Sequence, residues 1–295
     1  MSVIRPDTIH CWCSRRAYTN SKICLRNCSA APSQNKLLAQ TFAREIEDIW
    51  GYAKRLRFVR AVIRSCFEES KPLRVLDIGC GNGSQLAIPL AQDTRLKILG
   101  IDPDVRSIEQ AQRLSNAKDN LDFACESVAE IPGDQPFNVV ILSEVLEHLE
   151  RPEEMLRSAT RLLSGDGLLI VTVPNGYGEF EIDSWIFRFL RLQKIVDRFA
   201  KQSEVLSATD NSESGHLQFF TRPRLQRLFK DAGLSVFRQD AASFLAGPVA
   251  GHFVARSQRL IDWNARIADR LPFVLASGWY FALRRRDANQ MGAIK

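Results

Sequence analysis

The sequence predicts an α/β protein with a doubly wound sheet of seven strands, helices on both faces and two helical insertions. Three observations support this class. Short apolar runs rich in branched residues alternate with amphipathic stretches between residues 72 and 175. Turn residues separate the runs, and the first run ends in a glycine-rich loop. Strict alternation of strand and helix indicates parallel strands with right-handed crossovers, and such sheets bind ligands at the carboxyl ends of their strands.

The first half of the chain supplies most of these elements in order. Apolar residues spaced by three and four predict a helix over 41–69, which ends before Pro72. The following strands are predicted at 73–79, 96–102, 121–127, 137–144 and 168–175. The helices between them are predicted at 84–92, 104–117 and 151–163, with a turn at 164–167.

The second half interrupts the alternation with two insertions, at 176–215 and 243–272. Between them we predict a helix at 222–233 and a sixth strand at 234–240, and the apolar run at 276–285 is interpreted as the seventh strand rather than as an interfacial membrane segment. The predicted organisation is therefore an N-terminal extension (1–40), a helical segment (41–71), one α/β domain (72–286) and a tail (287–295). We expect the insertions to cover the site of the second substrate.

Composition and charge give broader expectations. The chain of 295 residues carries a net charge of +6, which permits contact with nucleic acid or an anionic membrane but is also ordinary for a soluble enzyme. No run of 18 apolar residues is present, and the N-terminus lacks the apolar core of a secretory signal. We expect a cytoplasmic protein, with peripheral membrane contact as an alternative.

The N-terminal extension contains a cluster of potential metal ligands. Four of the seven cysteines lie in the first 28 residues, close to His10, but their spacing fits no common zinc pattern. We expect a disordered extension, with a metal knuckle and a targeting peptide as the alternatives.

The loop after the first strand has an acid where a phosphate would usually rest. Its pattern is D-x-G-x-G-x-G, formed by Asp77, Gly79, Gly81 and Gly83. The lysine of a phosphate loop is missing, and Ser84 occupies the position of the third glycine of a dinucleotide fingerprint. A carboxylate beside glycines that permit close approach favours a ligand with a cationic end and no phosphate. The alternative is that the carboxylate merely caps the amides of the turn.

A second acid ends the next strand. Asp102 lies 19 residues beyond Gly83, which is the spacing at which an acid typically binds the two hydroxyls of a ribose. Together the two acids indicate a ribose-containing, positively charged ligand without a phosphate. This argument disfavours the other enzyme class with a glycine loop, the NAD-dependent dehydrogenases.

At these motifs the sequence resembles the class I S-adenosylmethionine (SAM)-dependent methyltransferases, over roughly residues 72–240. The stretches "VLDIGCGNG", "ILGIDPD" and "FNVVILSEVLEHLERPEEMLRSATRLLSGDGLLIVTVPN" carry the resemblance. It implies a Rossmann-like fold and SAM as the cofactor. The SAM-binding residues it implies are Asp77, Gly79, Cys80, Gly81, Gly83, Asp102, Pro103, Ser127, Val128 and Ser143. Many members place an aspartate against the adenine, where this chain has Ser127, so the backbone of Val128 is the expected substitute.

The segment "SEVLEHL", 143–149, supplies the candidate catalytic residues, Glu144 and His148. If a helix starts near Val145, Glu144, Glu147 and His148 share one face. With His216 these residues also form a possible ligand set for a divalent cation, similar to ubiquinone-pathway O-methyltransferases and small-RNA 2′-O-methyltransferases. Two other interpretations stay open: His148 acts without metal as a base or orienting group, or it is structural, with the two glutamates favoured by the helix dipole.

The predicted function is methyl transfer, and the expected target is an oxygen of a small or lipid-linked acceptor. The alternatives are an RNA 2′-O-methyltransferase and a module that binds SAM without transferring its methyl group. We do not expect a nucleic acid partner, because the chain lacks the interleaved aromatic and basic residues of an RNA platform.

Overall fold

The computed structural model describes residues 46–116, 118–176, 217–246, 251 and 254–286. The predicted extension (1–40), most of the first insertion and the tail lie outside these residues, as do His216 and the N-terminal cysteine cluster. In the described part of the chain, no helix combines the length and the apolar character needed to cross a bilayer.

A seven-stranded sheet forms the centre of the molecule, in the order β3-β2-β1-β4-β5-β7-β6. The strands are β1 (Leu73–Ile78), β2 (Leu96–Ile101), β3 (Leu121–Ala124), β4 (Phe137–Ser143), β5 (Leu163–Pro174), β6 (Leu234–Ala241) and β7 (Gly278–Arg285). The α-helices of the described residues are α1 (Tyr52–Cys66), α2 (Ala87–Leu90), α3 (Val105–Leu114), α4 (Pro152–Arg161), α5 (Arg222–Asp231) and α6 (Gln258–Ala268). Short 3₁₀ turns occupy Leu146–His148 and Phe273–Leu275.

The predicted fold class is confirmed, with one refinement of strand direction. Strands β1 to β5 pair in parallel, whereas β7 runs antiparallel to both β5 and β6. An apolar run predicts a strand but carries no information about its direction, so the sequence could not show that the sheet is mixed.

The helix predicted at 41–69 is shorter than expected in the part that the structure describes, residues 46–69. It begins at Tyr52 because Gly51 adopts a left-handed conformation (φ 76°) that interrupts the helical path. The carboxylate of Asp48 reaches past this break and accepts hydrogen bonds from the amides of Trp50, Tyr52 and Ala53. These bonds satisfy amides that the first helical turn leaves without an intrahelical partner.

Two other predicted elements also differ. The helix expected at 84–92 is reduced to the four residues of α2, which contain Pro89, a residue without an amide hydrogen. The turn expected at 164–167 is part of β5, as an irregularity in which Leu163 pairs with Phe137 and Leu168 with Val139. Residues 164–167 form a bulge between these two pairs, so the turn sequence is accommodated without ending the strand.

The sheet buries apolar side chains on both faces. One face packs against α4 and α5 and the other against α1, α2 and α3, and residues 168–173 of β5 alternate between the two cores. This double burial fixes the register of the central strands. The carboxyl ends of β1, β2, β4 and β5 consequently meet at one edge of the sheet, which carries the candidate site.

Candidate functional site

The glycine loop that follows β1 is tightly built. Gly79, Gly81 and Gly83 all have positive φ angles, of 70°, 54° and 71°. A Cβ atom at Gly79 would lie 2.6 Å from Cγ2 of Val145, so the loop after β4 touches the glycine loop directly. Beside Gly81, by contrast, a Cβ would meet no atom within 4 Å, which leaves open space where a ligand can approach the backbone.

Asp102, at the end of β2, holds this loop in place. Its Oδ2 accepts a hydrogen bond from the amide of Gly81 at 2.9 Å, and its Oδ1 accepts one from the amide of Asp104 at 2.9 Å. Both oxygens are therefore oriented by the backbone while each keeps a further lone pair for a ligand. Asp102 is half-buried, so the hydroxyls of a ribose can reach it.

Asp77 differs from Asp102 in having no such partners. It is only 3% exposed, and no described residue donates a hydrogen bond to its carboxyl group. The amides of Gly79 and Cys80 donate instead to the carbonyl of Ile101. The alternative that Asp77 caps the amides of the turn is therefore wrong for this structure.

Burial also changes the acidity of Asp77. Desolvation raises the pKa of its carboxyl group to about 7, and the negative charge of Asp102 contributes to the increase. The positive charge of Arg55 opposes both effects. A buried carboxyl group without a hydrogen-bond partner is costly, and a cationic ligand would remove that cost.

The other residues predicted to bind the cofactor lie along the same edge. Cys80 is half-buried, and burial raises the pKa of its thiol. Pro103 is exposed, and its carbonyl oxygen lies 3.6 Å from Sγ of Cys125. After β3, the amide of Ser127 donates to Glu130 at 2.6 Å, which places Ser127 in a local turn. Val128 packs against the core on one side of the sheet.

A buried arginine that the sequence reasoning missed connects these elements. Arg55, on α1, is 2% exposed, and its guanidinium group donates to Ser143 Oγ at 2.8 Å and to Gln85 Oε1 at 2.5 Å. It also lies 3.4 Å from the carboxylate of Glu144 and above the ring of Tyr52. The sequence offers no strong signal for this role, because a basic residue on an amphipathic helix is normally solvent-exposed.

The segment after β4 presents the candidate catalytic groups. Glu144 has φ 55°, which is unusual for a residue with a side chain, and it lies before the 3₁₀ turn rather than within a helix. Its Oε1 accepts a hydrogen bond from Thr172 at 2.8 Å, and Thr172 lies 3.0 Å from Ser143 Oγ. The predicted shared helical face is therefore wrong in detail, although the residues still lie close together.

Glu147 and His148 form the inner and outer parts of this segment. Glu147 is 1% exposed, and neither of its carboxyl oxygens has a hydrogen-bond partner among the described residues. Burial raises the pKa of Glu147 well above its usual range, and the charge of Glu144 raises it further. The His148 side chain is 35% exposed, with Nε2 3.9 Å from Glu147 Oε1. The imidazole is therefore partly open to solvent beside the buried acid.

The described residues do not support the predicted metal site. Within the described ranges, no three or more histidine, cysteine, aspartate or glutamate side chains are grouped so that they could hold a metal ion. The fourth predicted ligand, His216, lies outside the described residues. The amides of Leu217 and Gln218 donate to the carbonyl of Glu147, both at 2.9 Å. The metal site stays a prediction, and we derive no chemical step from it.

Comparison with known sequences identifies a family. A family model described as a methyltransferase domain matches residues 50–239, which is more than half of the chain. Among curated proteins, the ubiquinone biosynthesis O-methyltransferase of Bradyrhizobium diazoefficiens is 36% identical over 105 residues, covering 35% of this chain and 40% of that protein. The enzyme of the same name from Caulobacter sp. is 34% identical over 134 residues, covering 41% and 51%. The match thus spans about half the length of these relatives.

Solved structures agree on the fold. A SAM-dependent methyltransferase from Thermotoga maritima superposes with a TM-score of 0.51 at 17% identity, covering 86% of this chain and 94% of that one. A Haloferax volcanii chain solved in complex with the Trm112 methyltransferase activator gives 0.53 at 17% identity, covering 86% and 95%. At these identities the likeness concerns the architecture alone.

Proposed function

Because the chain belongs to the class I SAM-dependent methyltransferases, we propose that it transfers the methyl group of SAM to an oxygen atom of a small or lipid-like acceptor. The observation that carries the proposal is the contact between two loops. The glycine loop, which would hold the cofactor, packs at Gly79 against Val145, and His148 follows three residues later. A group able to accept a proton therefore follows closely, in the chain, the residue that packs on the cofactor loop.

The chain's own residues explain how the cofactor would be held. Asp77, buried and without a described hydrogen-bond partner, matches the ammonium group at the methionine end of SAM. Asp102, already oriented by Gly81 and Asp104, matches the ribose hydroxyls. When bound, SAM supplies an activated methyl group on a sulfonium, which is a good leaving group.

The acceptor would enter on the exposed side of His148. SAM, when bound, would supply the methyl group and leave as S-adenosylhomocysteine, while the imidazole of His148 would take up the proton that the acceptor hydroxyl loses. The protonated imidazole would lie beside the carboxyl group of Glu147. An acceptor hydroxyl with a high pKa needs such a base. Alignment of this hydroxyl with the methyl group provides much of the remaining acceleration.

Oxygen is supported as the accepting atom by two features. The segment after β4 carries glutamates and the imidazole of His148, which can accept a hydroxyl proton. The curated relatives carry the name O-methyltransferase. The lipid-like acceptor follows from the ubiquinone pathway in the names of these relatives.

The test is an untargeted search for the acceptor. Purified protein is incubated with SAM carrying a radiolabelled methyl group and with cell extract separated into lipid, small-molecule, protein and RNA fractions. We expect label in the lipid or small-molecule fraction, released by reagents that cleave aryl methyl ethers. Label in RNA would favour the 2′-O-methyltransferase. SAM binding without label in any fraction would favour the non-catalytic module.

A further inference from the structure

The exposed side of α6 carries an unusual combination of side chains. Arg259, Trp263 and Arg266 are spaced by four and three residues, so they lie on one face of the helix, and Arg270 follows in the turn after Ala268. Trp263 is 45% exposed, and all three arginines are exposed. We call this surface the arginine–tryptophan face. Arg259 and Arg270 make no side-chain hydrogen bond or ion pair within the described residues.

The rest of α6 fixes the direction in which this face points. The buried side is anchored by Asn264, whose amide group bonds to both the amide and the carbonyl of Leu245. Asp269, directly after the last residue of the helix, accepts from Lys54 on α1, and Asp262 accepts from Gln258 of the same helix. Within the described residues, neither acid forms an ion pair with Arg259, Arg266 or Arg270.

The face also lies in a segment that leads directly to the candidate site. Six and seven residues after the end of α6, Val274 and Leu275 are 55% and 43% exposed. The side-chain amide of Asn175, directly after β5, donates to the carbonyl of Val274 at 2.7 Å. Exposed apolar side chains are thus held at the edge of the sheet where Ser143 and Glu144 lie.

We propose that the arginine–tryptophan face, together with Val274 and Leu275, docks the protein on an anionic lipid bilayer. Arginine binds lipid phosphates, tryptophan prefers the boundary between headgroups and acyl chains, and short apolar side chains insert beside it. A second copy of the chain is a poor occupant, since a two-fold contact would bring the three arginines against their own equivalents. The proposal goes beyond the proposed function, because docking does not depend on methyl transfer.

The test measures binding of the full-length protein to vesicles by flotation. Vesicles of phosphatidylcholine are compared with vesicles that also contain phosphatidylglycerol, at low and high salt. We expect binding to the anionic vesicles only, weakened by salt. The double variant Arg259→Glu, Arg270→Glu should lower the partition coefficient about tenfold or more, and Trp263→Ala severalfold. Each variant should retain the wild-type melting temperature.

The control reverses two charges on a different helix. Arg227 and Lys230 are exposed on α5, so the double variant Arg227→Glu, Lys230→Glu changes the net charge equally. We expect it to retain vesicle binding within about threefold. An equal loss in both double variants would overturn the proposal, as would an absence of vesicle binding by the wild type. Sedimentation showing a dimer that Trp263→Ala dissociates would assign the face to self-association instead.

Discussion

The guanidinium group of Arg55 lies 3.4 Å from the carboxylate of Glu144, and both side chains also bind Thr172. Arg55 comes from α1, whereas Glu144 follows β4 and Thr172 lies on β5. This pair therefore connects a helix to the ends of two strands at the candidate site. Because the same guanidinium group lowers the pKa of Asp77, its charge also acts on the acid of the cofactor pocket.

Replacement of this arginine should weaken cofactor binding. Arg55→Met removes the bonds to Gln85 and Ser143 and the positive charge that lowers the pKa of Asp77. We expect the dissociation constant for SAM, measured by calorimetry at pH 7.5, to rise about tenfold or more, and the free energy of unfolding to fall by about 2–4 kcal/mol.

The neighbouring residue provides a matched control for this experiment. Lys54 is also a buried cation on α1, but its ammonium group bonds to Ala242, Ala265 and Asp269, away from the site. Lys54→Met should destabilise the protein by a similar amount and leave SAM affinity within about threefold. If both variants weaken SAM binding equally, Arg55 has only a structural role.

Asp77 should make cofactor binding depend on pH. Its folded-state pKa of about 7 lies above the ordinary 3.8, so its contribution to folding stability is present at low pH and is lost as pH rises through about 7. The ionised form binds the ammonium group of SAM. SAM affinity should therefore increase about tenfold between pH 6 and pH 8, because the ionised fraction does so.

Two comparisons isolate this effect. The variant Asp77→Asn should bind SAM weakly and with little dependence on pH. Methylthioadenosine, which lacks the methionine ammonium group, should bind the wild type with a similar affinity at both pH values. A pH dependence that persists in Asp77→Asn would assign the titration to another group.

His148 should matter for turnover and not for cofactor binding. The variant His148→Ala removes the proposed base, and a general base typically contributes about 10²–10⁴ to the rate. We expect the rate of methyl transfer to fall by about a hundredfold or more while the dissociation constant for SAM stays within about twofold. A large loss of melting temperature would instead support the structural interpretation of His148.

The glycine loop offers a prediction about stability. A Cβ at Gly79 would meet Val145 at 2.6 Å, whereas one at Gly81 would meet nothing, although both residues have positive φ angles. Gly81→Ala should cost only the conformational strain, about 1–2 kcal/mol, and Gly79→Ala about 1–3 kcal/mol more. Chemical denaturation measures both values. Equal costs would show that the two loops do not pack as described.

The sequence predicted those parts of the fold that depend on local pattern. Apolar runs located all seven strands within about five residues, and they were clearest for β1 and β4, because strands buried on both faces contain few polar residues. The acid at the end of β2 was recognisable for a related reason, since Asp102 ends an apolar run. The orientation of β7 depends on tertiary packing, and the short length of α2 depends on a single proline. Neither feature can be predicted from the spacing of apolar residues.

The site was less predictable where it depends on long-range contacts. Arg55 and Glu144 are 89 residues apart in the chain, and nothing near Arg55 distinguishes it from the other basic residues of α1. Thr172 was a weak signal that the sequence reasoning did not use, because it is a polar residue within the apolar run of β5. Glu144 adopts a positive φ at the point where the sequence predicted that a helix begins.

The most direct test of the account is a calorimetric titration of SAM into the wild type and into Asp102→Ala, with NAD titrated in parallel. We predict one SAM site per chain, at least about a hundredfold weaker in Asp102→Ala because the ribose contacts and the bond to Gly81 are both lost, and no comparable affinity for NAD. Tighter binding of NAD, or unchanged SAM affinity in Asp102→Ala, would contradict the assignment of this pocket.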